Sequence, residues 1–290
     1  TIPLFVKNSI DFFTPQGLAI SKEDVLKRVD ALNSCGAALI DFTGDDMYTG
    51  WARKLGLIRN SNEEKHPQVI DLAHIHHELH AACAFYNSGF ETAACLIVDG
   101  AGTFIPLGDS GETGWELETI FSASYPANFS TKFKHIGVRG PRVALEKLQV
   151  PHANRGKPED IHDVIFTDHC GITKCYEAMT EYCGFSFIEA GKAMGLAPYG
   201  NENSSIPLIF MGAEGRFLSN RNLFTPNYPN GAYINKVVFP ALNNDTIESK
   251  MDLAFAVQHA CEEQIIRLIL DAVERTGEKN VVIAGGFGLN

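Results

Sequence analysis

Four of the ten histidines in this chain fall within seven positions, at His74, His76, His77 and His80. A helix that begins near His76 places His76 and His80 four residues apart on one face, where both imidazoles can reach one metal ion. The alternative, less favoured by the spacing, is a group of partly exposed or hydrogen-bonded histidines where a strand meets a helix. The zincin motif HExxH does not occur, because only one residue separates Glu78 from His80, so metalloprotease chemistry is not predicted.

Asp99 is the third candidate ligand, because it follows the apolar segment TAACLIV (92–98) and precedes Gly100 and Gly102. A carboxylate at the end of a buried strand is destabilising by on the order of several kcal/mol unless it is paired or coordinated. The glycines let backbone amides approach a ligand. Two imidazoles and one carboxylate are typical of a metal site with open positions for substrate. Asp99 could also cap an ordinary turn, and the sequence alone leaves both interpretations open.

Two further segments have the composition of ligand-binding loops. Glu189 and Lys192 lie in EAGKAMGLAPYG (189–200), where small residues around a carboxylate and an amine would let a nucleotide approach the backbone. The Walker pattern is absent, and a Gly/Ala-rich helix end with solvated charges is the alternative. Glycines 285, 286 and 288 follow the apolar segment VVIA and suggest a loop against which a ligand packs.

The elements that must position these residues alternate between helices and strands, which predicts an α/β fold. Helical spacing and end signals predict helices at 21–33, from about 77 to 86, at 171–183, at 188–196 and at 251–276. Short apolar segments predict buried strands at 36–42, 68–73, 92–98 and 281–284. We expect residues 105–165 to form excursions from this scaffold and residues 200–248 to form loops and short strands.

Composition narrows the class of protein. The formal charge is 24 − 35 = −11 and the chain has no dense Lys/Arg segment, so nucleic acid is not an expected partner. Seven cysteines without a CxxC pair fit reduced thiols in the cytoplasm and argue against a zinc finger. Neither a signal peptide nor a membrane-spanning segment is predicted. We therefore expect a soluble, cytoplasmic protein.

Four segments, in this order, resemble the NodU/CmcH family of O-carbamoyltransferases: HHELHAACAFYNSGFETAACLIVDGAG (76–102), GITKCYEAMTEYCGF (171–185), EAGKAMGLAPYG (189–200) and VVIAGGFGLN (281–290). The first matches the family pattern HHxxHAxxAFxxSxFxxAAxLxxDGxG over its whole length. The resemblance implies an actin-like ATPase fold of two ribonuclease-H-like lobes, related to the tRNA threonylcarbamoyl transferases. Residues 1–91 would be the remainder of the first lobe and residues 92–290 the second.

The resemblance also implies a reaction. In such enzymes a YrdC-like domain makes a carbamoyl-adenylate from carbamoyl phosphate and ATP, and the carbamoyl group then passes, with assistance from a metal, to a substrate hydroxyl. Carried over to this sequence, the metal ligands are His76, His80 and Asp99, and the metal would be iron(II). The implied nucleotide contacts are the turn from Gly100 to Gly102, Glu189, Lys192, Gly285, Gly286 and Asn290.

Departures from the family pattern lead to a further expectation. No HDSA-type motif, whose histidine is the family's candidate general base, precedes residue 76, so no catalytic residue is assigned in this chain. The chain starts with Thr1 rather than methionine, and a further aspartate ligand is expected beyond Asn290. The YrdC-like domain is also missing from the sequence. We therefore expect a fragment, incomplete at both ends, that does not complete the reaction by itself.

Two other functions stay open at this stage. A threonylcarbamoyl-type tRNA modifier would share the fold and the paired histidines, but it should carry a basic surface, which the charge of −11 does not favour. The chain could also be a non-catalytic remnant that binds metal or nucleotide. The acceptor hydroxyl compound is not identifiable from the sequence.

Overall fold

The structure is a computed structural model and describes residues 75–107, 112–140, 143–148, 162–213, 216–227, 231–236, 242 and 246–290. His74, the predicted helix at 21–33 and the predicted strands at 36–42 and 68–73 lie outside the described residues. The described residues form a mixed α/β structure around one central sheet, as the alternation of elements predicts.

The central sheet has seven strands, β1 (Thr92–Val98), β2 (Phe104–Leu107), β3 (Glu112–Ser124), β4 (Asn128–Gly137), β5 (Val143–Leu148), β6 (His162–Thr167) and β11 (Val281–Ala284). Their order in the sheet is β11-β1-β3-β4-β6-β5, with β2 paired to β3. Two of the pairs are parallel, β1 with β11 and β4 with β6, and the others are antiparallel. The predicted strands at 92–98 and 281–284 are confirmed with these bounds.

The prediction that residues 105–165 form excursions is wrong, because β2 to β5 and most of β6 lie there and make up the larger part of the sheet. These strands were not predicted from apolar segments because charged residues interrupt their apolar pattern. Glu116, Glu118, Lys134 and His135 are all buried in β3 and β4, although such residues are rarely buried unless paired.

Helix α1 (His76–Ser88) covers one face of the sheet. Ala81 and Phe85 pack with Ala93, Cys95 and Ile97 of β1. The helix ends at Gly89, whose φ of 74° is the left-handed conformation that glycine adopts without strain. The prediction from about residue 77 to 86 is confirmed, with one residue more at the start and two at the end.

The opposite face carries α2 (Ile172–Tyr182) and α4 (Ile247–Thr276), which share a core with the alternate residues of β1, Ala94, Leu96 and Val98. Helix α4 begins four residues before the predicted start, because the hydroxyl of Thr246 accepts a hydrogen bond from the backbone N–H of Ser249. It ends at Gly277, the predicted stop, with φ 71°. Both helix predictions are confirmed.

The remaining elements are short. A 3₁₀ turn (Phe187–Glu189) leads into α3 (Ala190–Leu196), in agreement with the prediction of helix at 188–196, and a second such turn is Ala197–Tyr199. Two small hairpins follow, formed by β7 (Phe210–Ala213) with β8 (Arg216–Ser219) and by β9 (Phe224–Asn227) with β10 (Gly231–Ile234). Across the described residues, no helix combines the length and apolar character that a membrane crossing requires.

Candidate metal centre

The first turn of α1 presents two imidazoles on one side. His76 is the first helical residue, so His80 lies one turn further along, and their Nε2 atoms are 3.1 Å apart. Ile75, at the N-cap position, provides no side-chain cap. The hydroxyl of Thr103 instead accepts the backbone N–H of His76 at 3.2 Å. A residue from a distant turn therefore holds the start of the helix.

Asp99 meets the two histidines from the end of β1. Its Oδ2 atom lies 2.9 Å from Nε2 of His76 and 3.5 Å from Nε2 of His80. One ligand atom from each of the three residues lies within 4.8 Å of the other two, and the part of the chain that the structure describes contains no second group of this kind. The structure thus brings together the three residues predicted as metal ligands.

The spacing of these three atoms fits a bound metal ion. Ligand atoms about 2.1 Å from an ion lie roughly 3.0 Å apart in octahedral geometry and roughly 3.4 Å apart in tetrahedral geometry. The observed separations run from 2.9 to 3.5 Å. The side chains of His76, His80 and Asp99 are 42%, 36% and 15% exposed, so the described residues do not enclose the three ligand atoms completely. Two imidazoles and one carboxylate suit Fe(II) and other first-row divalent ions.

The electrostatics of the site favour a cation. Burial opposes ionisation of Asp99, but hydrogen bonds from His76, His80 and the amides of Gly286 and Gly100 outweigh it and hold the pKa of Asp99 well below its usual range. The hydrogen bond to Asp99 raises the pKa of His76. A carboxylate that stays ionised and attracts a proton to its neighbour would attract a metal ion to the same place.

The two carboxylate oxygens of Asp99 have different partners. Oδ2 faces the histidines, whereas Oδ1 accepts the N–H of Gly100 at 2.9 Å and of Gly286 at 3.0 Å. Because β1 and β11 are parallel neighbours, the turns that follow them meet at the same edge of the sheet. Asp99 therefore joins the candidate metal site to both predicted glycine turns.

Glycine is required at two positions in these turns. Gly285 has φ 93°, and a Cβ atom there would lie 2.3 Å from the carbonyl oxygen of Val98. A Cβ atom at Gly102 would lie 2.5 Å from the ring of His77, which is buried beneath the turn. These contacts hold the backbone close to the site without a side chain in between.

The end of the second glycine turn is tied to two helices. The side-chain amide of Asn290 exchanges hydrogen bonds with Gln258 of α4 at 3.1 and 3.2 Å. Gln258 in turn accepts the hydroxyl of Tyr176 of α2 at 2.7 Å, and Phe287 packs edge-on against the ring of Tyr176. The turn that carries Gly285, Gly286 and Asn290 is thereby fixed in place.

Glu189 and Lys192 form a local pair at the surface. Nζ of Lys192 donates to Glu189 at 2.5 Å, and the other Glu189 oxygen accepts the N–H of Ser186 at 2.9 Å. Lys192 also lies over the ring of Phe185. Within the described residues, no contact joins this pair to Asp99 or to the glycine turns, so the structure brings the two residues to each other but not to the metal ligands.

Sequence reasoning missed several residues around the site. Glu116 and Lys134 form a buried ion pair of 2.7 Å beneath the Gly102 turn, and His77 bonds to Thr119 at 2.7 Å. The alternation of Glu116 and Glu118 with apolar residues in WELET (115–119) is the signal that could have indicated a strand with buried charges. In the structure the register with β4 is irregular between the two residues, so that Glu116 pairs with Lys134 and Glu118 with His135. Lys174 of α2 lies against Gly100 and had no such signal in the sequence.

The described residues form an α/β protein, with helices on both faces of a mixed sheet. Its candidate metal centre has two imidazoles and one carboxylate and lies at the carboxyl end of a strand. Comparison with family models makes the assignment specific. The model of the carbamoyltransferase N-terminus matches residues 16–290, and the chain belongs to this family. The resemblance to the NodU/CmcH carbamoyltransferases is confirmed at the level of the family.

The chain is also similar to the uncharacterized protein sll1178 of Synechocystis sp.. The two are 29% identical over 230 residues, which cover 74% of this chain and 30% of that relative. The chain thus spans less than a third of the length of the relative.

Proposed function

We propose that this chain forms the metal- and nucleotide-binding part of an O-carbamoyltransferase, which transfers a carbamoyl group from carbamoyl-adenylate to the hydroxyl of a small molecule. The observation that carries the proposal is the position of Asp99. One of its oxygens faces His76 and His80, and the other holds Gly100 and Gly286. In a carbamoyltransferase, this geometry suits a substrate that has a phosphate at the metal and an adenosine along the glycine turns.

The residues of the chain would bind and orient this substrate. His76, His80 and Asp99 would hold iron(II), which when bound offsets charge on the adenylate phosphate. The backbone from Gly100 to Gly102 would approach the phosphate, because the glycines have no side chain to hold a ligand away. Gly285, Gly286 and Asn290 would support the nucleoside, with Glu189 and Lys192 as further contacts. The acceptor hydroxyl would form a C–O bond to the carbamoyl carbon while the bond from that carbon to the phosphate oxygen breaks and AMP leaves. The hydroxyl proton would pass to a general base, a role that no residue of this chain is assigned.

The proposal extends to the wider protein. The fold would be the two-lobe actin-like ATPase fold, with residues 1–91 in the first lobe and residues 92–290 in the second. Carbamoyl phosphate and ATP would be the precursors of the adenylate, in the cytoplasm. Membership of the carbamoyltransferase family supports this reaction over tRNA modification.

Nucleotide binding to the 290-residue chain tests this proposal. Calorimetry with ATP in the presence of Fe(II), under anaerobic conditions, should show one site. Lys192→Met should weaken ATP binding at least about tenfold, which is the loss of one charge-assisted contact. Because the pair with Glu189 is exposed, the substitution should leave the stability of the chain almost unchanged.

Lys279→Met is the matched control, because Lys279 is an exposed lysine in the loop between α4 and β11. This variant should bind ATP as the wild type does. Absence of ATP binding with and without metal would contradict the proposal, and equal losses in the two variants would contradict the role of Lys192.

A further inference from the structure

We propose that Glu116 is a positioning residue for the candidate metal site and acts through Thr103 on His76. The inference rests on the proposed function, since it concerns the same site, but it assigns a role to residues that contact neither metal nor substrate.

Glu116 holds the turn that follows Asp99 by three hydrogen bonds. Its carbonyl accepts the N–H of Gly102 at 2.8 Å, and its own N–H donates to the carbonyl of Thr103 at 3.1 Å. Its Oε2 accepts the N–H of Thr103 at 2.9 Å. Backbone and side chain of one strand residue therefore fix both the position and the orientation of Thr103.

Thr103 in turn fixes the start of α1. Its hydroxyl accepts the N–H of His76, one of the helix-start amides that have no partner within the helix. A residue at the N-cap position usually provides such an acceptor, but Ile75 has none. The direction of α1 at its first residue, and with it the imidazole of His76, thus depends on a hydroxyl that Glu116 positions.

Glu116 itself is locked in place. Its carboxylate is 4% exposed and forms an ion pair of 2.7 Å with Nζ of Lys134, which is 2% exposed. A buried pair of this kind has a strict geometry, because a displaced partner would leave a charge without solvent or counter-ion. The ring of His77 also lies beneath Gly102, so the turn has little freedom to move.

Small displacements at His76 should matter for metal binding. The separations of 2.9 and 3.1 Å from Nε2 of His76 to the other two ligand atoms leave room for one ion. Residues that orient metal ligands typically change metal affinity by about 10- to 100-fold when they are replaced.

Thr103→Val provides the test, since it removes the acceptor and keeps the shape of the side chain. Titration of the 290-residue chain with Co(II), followed by its visible d–d absorption, reports both affinity and ligand geometry. Thr103→Val and Glu116→Gln should each weaken Co(II) binding by about tenfold and alter the absorption spectrum. Thr103→Ser keeps the hydroxyl and should bind Co(II) as the wild type does.

Glu118→Gln is the matched control. Glu118 is a fully buried carboxylate two residues further along β3, but its partners are His135 and the N–H of Ile172. This variant should lose stability without a change in Co(II) affinity or spectrum. Wild-type Co(II) affinity in Thr103→Val would overturn this inference but not the proposed metal centre. A loss of Co(II) affinity in Glu118→Gln as large as that in Glu116→Gln would do the same. Absence of Co(II) binding to the wild-type chain would instead overturn the proposed metal centre, and the inference with it.

Discussion

At the scale of single residues, the two carboxylate oxygens of Asp99 have unequal surroundings. Oδ1 is held by the amides of Gly100 and Gly286, so the carboxylate cannot rotate freely. Oδ2 is left directed at His76 and His80. A ligand atom held in this way is pre-organised, and a metal ion would therefore bind without first ordering the carboxylate.

His169 provides a test of the electrostatics away from the candidate metal site. Burial lowers the pKa of His169. The hydrogen bond to the carbonyl of Ser219 and the charge of Asp168 oppose this change, whereas Arg221 and His135 support it. Near pH 6.5 the unfolded chain therefore binds more protons at this residue than the folded chain does. The free energy of unfolding should fall as the pH is lowered through 6.5, by at most about 1.4 kcal/mol per pH unit from this residue.

Urea unfolding of the His169→Gln variant between pH 7 and pH 5 checks this expectation. The variant should lose less stability over this range than the wild type, since it has no proton to bind in the unfolded state. His259→Gln, which replaces an exposed histidine of α4, is the control for the loss of a histidine in general. An identical pH dependence in His169→Gln and the wild type would show that the pKa of His169 is not lowered.

At the scale of elements, the glycines differ in how much space surrounds them, and this difference decides which of them can be replaced. A Cβ atom at Gly102 would meet the ring of His77 at 2.5 Å and Cβ of Glu116 at 2.9 Å, whereas one at Gly191 in α3 would meet nothing within 4 Å. Gly102→Ala should therefore destabilise the chain by about 1–3 kcal/mol through overpacking. Gly191→Ala should stabilise it by about 0.5–1 kcal/mol, because alanine is the better helix former.

Chemical denaturation of the two variants measures both changes. The paired design separates a specific contact from a general intolerance of substitution. A stability of Gly102→Ala equal to that of Gly191→Ala would mean that His77 does not occupy the space beneath the turn.

Elements with regular apolar spacing could be predicted from the sequence. The strands at 92–98 and 281–284 and the helix ends at Gly89 and Gly277 agree with the structure, because burial patterns and glycine stops are local signals. The strands β2 to β6 could not be predicted in this way. Their charged residues are buried by pairing across strands, such as Glu116 with Lys134, and pairing partners are not visible from one strand alone.

The residues of the candidate site also fall into those that could be predicted from local signals and those that could not. His76, His80 and Asp99 could be named from residue type, helical spacing and the family pattern. Thr103 could not, because its role arises only where the turn after β1 meets the start of α1. The position of Lys174 next to Gly100 could not be predicted either, because it arises from the packing of α2 against the turn.

At the scale of the whole molecule, the candidate site lies at the carboxyl end of β1, between the helix on one face of the sheet and the helices on the other face. Helix α1 packs on one face of β1, and α2 and α4 pack on the other. Asp99, at the carboxyl end of β1, is the residue through which α1 and the turn after β11 contact each other. Carboxyl ends of strands in α/β sheets are the usual place for ligands, which agrees with a substrate site here.

Iron binding tests the central claim most directly. We expect the 290-residue chain to bind one Fe(II) under anaerobic conditions, and saturation at about 100 times the Kd to stabilise it by about 2.7 kcal/mol. His76→Ala, His80→Ala and Asp99→Asn should each lose Fe(II) binding at least about 100-fold, since each removes one of three ligands. His259→Ala, at an exposed position on α4, should bind Fe(II) with wild-type affinity. Failure of the wild-type chain to bind Fe(II), or wild-type affinity in the three ligand variants, would contradict the account.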